Sequence, residues 1–207
     1  MSTLSSLDDI VDAVCAAALD DRRTIVGLAG SPGAGKTTIG QRLTERLGPV
    51  AQLVSMDGFH LPQARLVELG RRERMGAPDT FDVDGFVVLL ERLRASDSEL
   101  HAPGFDRDIE EPIPGGVTIA PGRGLIVVEG NYLLLDSGGW ERVAPLLDLA
   151  LFVRVDPDLR LARLIERHER FGKSPADARA WALGPDEANA RLIENTAALA
   201  DHEIRLG

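Results

Sequence analysis

The chain has 207 residues, 44% of them hydrophobic and 27% charged, with a formal net charge of −10. Those proportions suit a single α/β domain over residues 1–207 with a sizeable core, and the acidic balance repels nucleic acid and anionic membranes, so neither is expected as a partner. Cys15 is the only cysteine, which excludes an internal disulfide, and its apolar helical surroundings predict a core position and a reducing, cytoplasmic setting. The first residues carry neither a basic nor a continuous apolar signal region, and no apolar run reaches membrane-spanning length, so a soluble chain without an export signal is expected.

In chain order, Ser6-Leu7-Asp8-Asp9 has the spacing of a capping box, opening a helix whose apolar face holds Leu7, Ile10, Val11 and Val14. The short apolar run Thr24 to Ala29 predicts a strand, which passes through a glycine-rich turn into a helical pattern from Lys36 to Leu47. A second strand, Ala51 to Ser55, ends at Met56-Asp57-Gly58-Phe59-His60. From Leu61 to about Ala120 short helical patterns (Leu66 to Gly70, Val83 to Arg94) alternate with proline- and glycine-rich stretches. Such an insert, about 57–120, is expected to build a binding wall. The apolar runs Leu125 to Val128 and Ala150 to Val155 predict two more buried strands. Helical patterns follow Asp156-Pro157, then Pro175 to Ala182 and Asp186 to Ala200, with a last strand at His202 to Leu206. The alternation predicts an α/β fold of the P-loop NTPase type, a parallel sheet with helices on both faces and a helical lid over about 157–182.

Gly30-Ser31-Pro32-Gly33-Ala34-Gly35-Lys36-Thr37 has the full Walker A spacing between a predicted strand and a predicted helix. Glycines allow consecutive backbone N–H groups to curl around an anion, and the following helix points its positive end at the same place. The motif therefore predicts binding of a polyphosphate by Gly30, Ser31, Gly33, Ala34, Gly35, Lys36, Thr37 and the adjacent Thr38. Lys36 would neutralise the β- and γ-phosphates, and the Thr37 hydroxyl would coordinate Mg2+. A dinucleotide fingerprint fits less well, because Thr38 stands where its last glycine belongs.

Ligands of open α/β sheets gather beyond the carboxyl ends of the strands, so Asp57 and Glu129 should converge near the γ-phosphate. Asp57 is assigned the proton of an acceptor hydroxyl, and Glu129 the magnesium, with a share of the base role left open. The alternative for Asp57 is a turn or N-cap aspartate. For Glu129, a carboxylate after four apolar residues is costly without a cationic partner.

With Met56-Asp57-Gly58-Phe59-His60, Gly76-Ala77-Pro78-Asp79-Thr80-Phe81-Asp82 and Val128-Glu129-Gly130-Asn131-Tyr132 in order, most of the chain resembles the uridine kinase and phosphoribulokinase superfamily of P-loop kinases. It resembles most a bacterial branch labelled nucleoside or nucleotide kinase, or fructose transport system kinase, which also looks related to pantothenate kinase. The resemblance implies ATP and Mg2+ as cofactors and phosphoryl transfer to a small-molecule hydroxyl, that of a nucleoside or a sugar first and of a pantothenate-like acid or other polyol as the alternative. It implies that Phe59 and His60 line the acceptor pocket and that Asp79 or Asp82 accepts sugar hydroxyl hydrogen bonds. It also places Phe105 and Arg107 of Pro103-Gly104-Phe105-Asp106-Arg107 where relatives touch the nucleoside. The aromatic residues read equally well as core, and His60 as a partner for a backbone carbonyl.

Arg160, Arg163, Arg167 and Arg170 recur at helical spacing beside an apolar face of Leu161, Leu164 and Ile165. The resemblance implies a lid whose arginines close on ATP, with Arg163 and Arg167 as the expected catalytic cations and Lys173 behind them. The alternative is a solvated face braced by Glu166 and Glu169. Lysine occurs only at Lys36 and Lys173, so the Asn-Lys-x-Asp element common in guanine recognition is absent and a signalling GTPase is disfavoured. A P-loop ATPase acting as a nucleotide-dependent regulatory or binding module is the remaining alternative of another class. The oligomeric state stays open, with a homodimer allowed.

Overall fold

The computed structural model describes residues 2–206. In chain order the elements are β1 (Ser2–Leu4), α1 (Leu7–Ala16), β2 (Thr24–Gly30), α2 (Lys36–Leu47), β3 (Ala51–Ser55), α3 (Gln63–Glu68), α4 (Val83–Ala95), β4 (Leu100–Asp106) and β5 (Glu111–Ile119). They continue with β6 (Leu125–Gly130), β7 (Leu149–Val153), α5 (Pro157–Arg170), α6 (Pro175–Leu183), α7 (Pro185–Glu194) and β8 (His202–Ile204).

Every residue of β2, β6 and β7 is buried, as parallel strands covered on both faces require. These strands form the middle of a six-stranded, all-parallel sheet of order β1-β8-β7-β2-β6-β3. Strand alternation divides their side chains between two cores. Ile25, Ala29, Ile126, Val128 and Phe152 pack with Phe86 and Leu90 of α4 and Ile193 of α7. Val26, Leu28, Val127 and Leu151 pack with Ile10 and Val14 of α1 and Ile39 and Leu43 of α2. Helices thus cover both faces, and β2, which carries the glycine turn, lies between β7 and β6. The Ser6 capping box is formed, with Asp9 N–H donating to Ser6 Oγ and Ser6 N–H to Asp9 Oδ2. Among the described residues no helix is long and apolar enough to cross a membrane.

The structure departs from the sequence reading at several points. Cys15 is exposed rather than in the core, because α1 turns Ile10 and Val14 inward and leaves Cys15 on the opposite side. Part of the irregular insert is an antiparallel ribbon of β4 and β5 that pairs with no strand of the main sheet. Ser2–Leu4 adds an edge strand beside β8. The helix expected over Asp186 to Ala200 ends at Glu194, followed by a 3-10 turn at Ala197–Leu199.

The ribbon is tied to the sheet at its base by Arg23, which is 1% exposed. Its guanidinium donates to four backbone carbonyls, those of Ser96, Ser98, Ala120 and Gly122, at 2.7 to 3.1 Å. Removing a buried donor leaves its acceptors unsatisfied. Arg23→Ala is expected to lower unfolding free energy by about 3 kcal/mol, read as a shifted midpoint in urea titration.

Candidate functional site

The turn from Gly30 to Thr37 joins the carboxyl end of β2 to the first residue of α2. Gly33 and Gly35 both adopt positive φ, 81° and 93°, a region open to glycine at little cost. A Cβ on Gly33 would stand 2.8 Å from Leu164 Cγ and 2.9 Å from the Arg160 carbonyl. The glycine therefore lets α5 cross directly over the phosphate turn. Lys36 begins α2 and is 7% exposed. Its ammonium donates to the carbonyls of Gly30 at 2.8 Å and Ser31 at 3.1 Å, and to Asn131 Oδ1 at 2.7 Å. Ser31 Oγ donates to Glu194 of α7 at 2.8 Å, and Glu194 also receives Arg154 at 2.6 Å.

Parallel register sets the next layer. Glu129 is paired with Leu28 on one side and Ser55 on the other, so Ser55 Oγ reaches Glu129 Oε1 at 2.5 Å and Thr37 Oγ1 reaches the same oxygen at 3.2 Å. Ser55 Oγ also accepts from the Asp57 N–H at 3.2 Å, opening the 3-10 turn Met56–Phe59. Burial first, and then the neighbouring Asp57 charge, raise the Glu129 pKa. Burial acts on Asp57 in the same direction, but Arg107, His60 and Lys36 outweigh it and hold that carboxyl below the usual range. Asp57 is ion-paired with Arg107. Thr37 and Glu129 are hard oxygen donors on adjacent elements, a set that suits Mg2+, which takes few protein ligands and completes its shell with phosphate and water.

Arg107 follows β4, and the ribbon reaches the site because Gly58 has no side chain. A Cβ there would lie 2.0 Å from the Pro103 carbonyl. His60 is held between Phe81 and Phe105, at centroid distances of 4.0 and 4.7 Å, with Nδ1 donating to the Asp57 carbonyl at 2.8 Å. Burial lowers its pKa and keeps the ring neutral near pH 7.

Lys36, Thr37, Thr38, Asp57, Glu129, Asn131, His60, Phe105, Arg107, Arg163 and Arg167 line one cavity of about 410 Å³, together with the turn glycines Gly33 and Gly35. Three expected acceptor-side residues are engaged elsewhere. Phe59 lies in the core, edge-on to Phe86. Asp79 is ion-paired with Arg74 and Arg71 at the surface. Asp82 caps α4, accepting from the Gly85 N–H at 2.9 Å. Of the arginine stripe, Arg160 is buried against Glu187 and Arg170 is paired with Glu166, while Lys173 lies 4.5 Å over the Trp181 ring. Arg167 is largely buried; burial and then Arg107 lower its pKa.

The sequence reading passed over two residues of this layer. Asn131 follows Glu129-Gly130 at a strand's carboxyl end, a signal that was open to reading. Ser55 matters only through its register against Glu129, which appears once the strands are paired. Across the cavity, Asp186 Oδ2 accepts from the His168 ring Nε2–H at 2.7 Å, and Asn189 donates to the Gly76 carbonyl at 3.2 Å.

A Walker turn on the central strand, two carboxylates at neighbouring strand ends and a basic helix across the turn define a P-loop kinase. The family model "Phosphoribulokinase / Uridine kinase family" matches residues 25–174, and the chain belongs to that family. A crystal structure of a "putative fructose transport system kinase" from Silicibacter sp. TM1040 is 35% identical, with a TM-score of 0.87 over 97% of this chain and 99% of that one. The ATP-dependent kinase-like protein notR' of Aspergillus versicolor is 41% identical over 133 residues, 60% of this chain and 77% of its own. The pantothenate kinase of Enterococcus faecalis is 31% identical over 156 residues, 72% of this chain and about half (49%) of its own. The cofactors are ATP and Mg2+.

Burial lowers the Lys36 pKa to about 8, against the opposing pull of Glu129 and Asp57. A bound triphosphate adds negative charge beside the ammonium and raises that pKa, so the complex holds more protons than its components above pH 8. ATP affinity is therefore expected to fall as pH rises from about 8, by up to about one log unit per pH unit. Fold stability should move the other way, because the unfolded chain keeps this lysine protonated up to its ordinary pKa. Titration calorimetry in buffers of different ionisation enthalpy would register the proton uptake, and urea titration the stability.

Proposed function

We propose that this kinase transfers the γ-phosphoryl group of ATP to a hydroxyl of a small metabolite, with Asp57 as the acceptor-side base. The observation that carries the reading is the shared cavity: Asp57 opens onto the space next to Lys36, Thr37 and Glu129. The hydroxyl proton passes to Asp57 as its oxygen attacks the γ-phosphorus. The bond to the β–γ bridging oxygen breaks, and its electron pair leaves with ADP. Lys36 and the backbone N–H groups of the turn bind the triphosphate, and Arg163 and Arg167 of α5 meet the equatorial oxygens of the group in flight. Thr37 and Glu129 would hold Mg2+, which when bound would supply charge neutralisation for the phosphates. Neutral His60, held against buried Phe81, gives the acceptor pocket an aromatic wall together with Phe105, the two rings tilted 37° to each other.

The substrate set is open to test by a screen of nucleosides, sugars, hydroxy acids and polyols for ADP release with Mg2+ and ATP. A kinase is strongly stimulated by one acceptor class. Turnover that no acceptor stimulates, with water as the sole phosphoryl acceptor, would overturn the proposal and favour an ATPase module.

A further inference from the structure

We propose that the acceptor carries a carboxylate or phosphate, and that Arg107 is the residue that selects it by releasing Asp57 only when that anion arrives. The inference rests on the kinase reading above and adds the acceptor's chemical class.

In the structure the Arg107 guanidinium is ion-paired with Asp57, the carboxylate assigned to take the hydroxyl proton. A carboxylate in that pair is a weak base, and the guanidinium stands where an attacking hydroxyl must come. The other cavity cations are placed differently. Lys36 and Arg163 border the turn glycines, Arg170 is paired with Glu166, Lys173 lies over the Trp181 ring, and Arg72 is already matched by Glu110 at 3.0 Å and Gln63 at 3.0 Å. Arg167 stands near enough to Arg107 and Asp57 for their charges to act on it, and it is paired with neither. Among the described residues Arg107 has no such second carboxylate; apart from Asp57 it has the face of the Phe105 ring, 5.7 Å from its centre.

An uncharged acceptor would have to separate Arg107 from Asp57 and offer the guanidinium, itself exposed, only water in return, so the cost falls on the more enclosed Asp57 carboxylate. An anionic acceptor supplies a replacement. The planar guanidinium binds a carboxylate or phosphate through two parallel N–H···O bonds, and the exchange frees Asp57 in the same event. Specificity and activation of the base thus follow from one swap of partners. The position of Arg107 depends on Gly58, which lets the ribbon approach until the Pro103 carbonyl fills the place of a Cβ.

The test uses matched acceptors that differ in the anion alone: glycerate against glycerol, pantothenate against pantothenol, and ribose 5-phosphate against ribose. Binding is measured with Mg2+ and a non-hydrolysable ATP analogue, and turnover as ADP release. In the wild type at least one anion should bind about 10-fold or more tightly than its neutral twin, the carboxylate and phosphate pairs showing which anion fits. Arg107→Gln should abolish that preference and raise the anion's KM about 100-fold, with nucleotide affinity unchanged, and Arg107→Lys should restore part of it. The absence of any anionic preference among the six compounds overturns the proposal. An Arg107→Gln variant that slows charged and neutral acceptors equally does so too, because Arg107 would then serve the phosphoryl group. Failure of the kinase reading looks different: anions bind preferentially, yet none stimulates ADP release.

Discussion

Lys36→Ala is expected to reduce phosphoryl transfer about 1,000-fold and to weaken ATP binding, without unfolding the protein. Lys36 is 7% exposed, and the protein partners of its ammonium among the described residues are two turn carbonyls and Asn131. In the proposed complex it is thus preorganised where β- and γ-phosphate charge would accumulate, and preorganised charge in a site shielded from water carries a large share of phosphoryl-transfer catalysis. Stability should be spared for the reason that makes the residue useful. Burial lowers its pKa to about 8, so the fold bears a cost for keeping it charged at neutral pH, and alanine removes that cost. Thermal melting with and without ATP and Mg2+ checks both halves. The wild type gains stability from ligand by mass action, whereas the variant should melt near the wild-type temperature and gain little. A variant that binds and transfers normally would refute the phosphate role.

Asp57→Asn is expected to lower the acceptor-saturated rate about 1,000-fold while leaving ATP affinity within about threefold of the wild type. Asparagine keeps the shape and removes the proton acceptor. The competing assignment gives the base role to Glu129, whose carboxylate is near enough to share it. The two differ in their surroundings: Glu129 faces the hydroxyls of Thr37 and Ser55, a metal-side environment, whereas Asp57 faces Arg107 on the acceptor side. Burial and the Asp57 charge raise the Glu129 pKa, so Asp57→Asn should also ease ionisation of Glu129. Unchanged turnover in this variant with acceptor in excess would return the base role to Glu129, and Glu129→Gln would then carry the rate loss.

The parts of the site that could be read from the chain are those whose geometry is local. The Walker turn, Asp57 and Glu129 each end an apolar run beside a glycine (Gly30, Gly58 and Gly130), and a parallel sheet brings such strand ends together whatever the intervening sequence. The ribbon was hidden for a physical reason. Pro103, Gly104, Pro112, Pro114, Gly115 and Gly116 interrupt its alternation, and a register shift between Ala102 and Gly104 breaks it again. Neither strand shows the continuous apolar run of a buried one, since β5 is exposed along much of its length. The arginine stripe of α5 was visible as a period, but its division of labour depends on Glu187, brought near Arg160 by a helix two elements later. Asp79 and Asp82 likewise found partners close at hand, Arg74 and the Gly85 N–H, which sequence spacing permits without announcing.

The hydrogen bond from Ser31 to Glu194 has a mechanical consequence. The chain leaves the sheet for α5 just after Arg154, α7 ends at Glu194, and an ion pair of 2.6 Å joins these two points, with Arg154 also bonded to Glu203 of β8 at 2.7 Å. Residues 155–193 are therefore a closed noose whose knot is lashed to the phosphate turn itself. Any displacement that moved Arg154 or Glu194 would have to break these pairs or pull Ser31 with it, so the loop carrying Arg163 and the turn at Lys36 share an anchor.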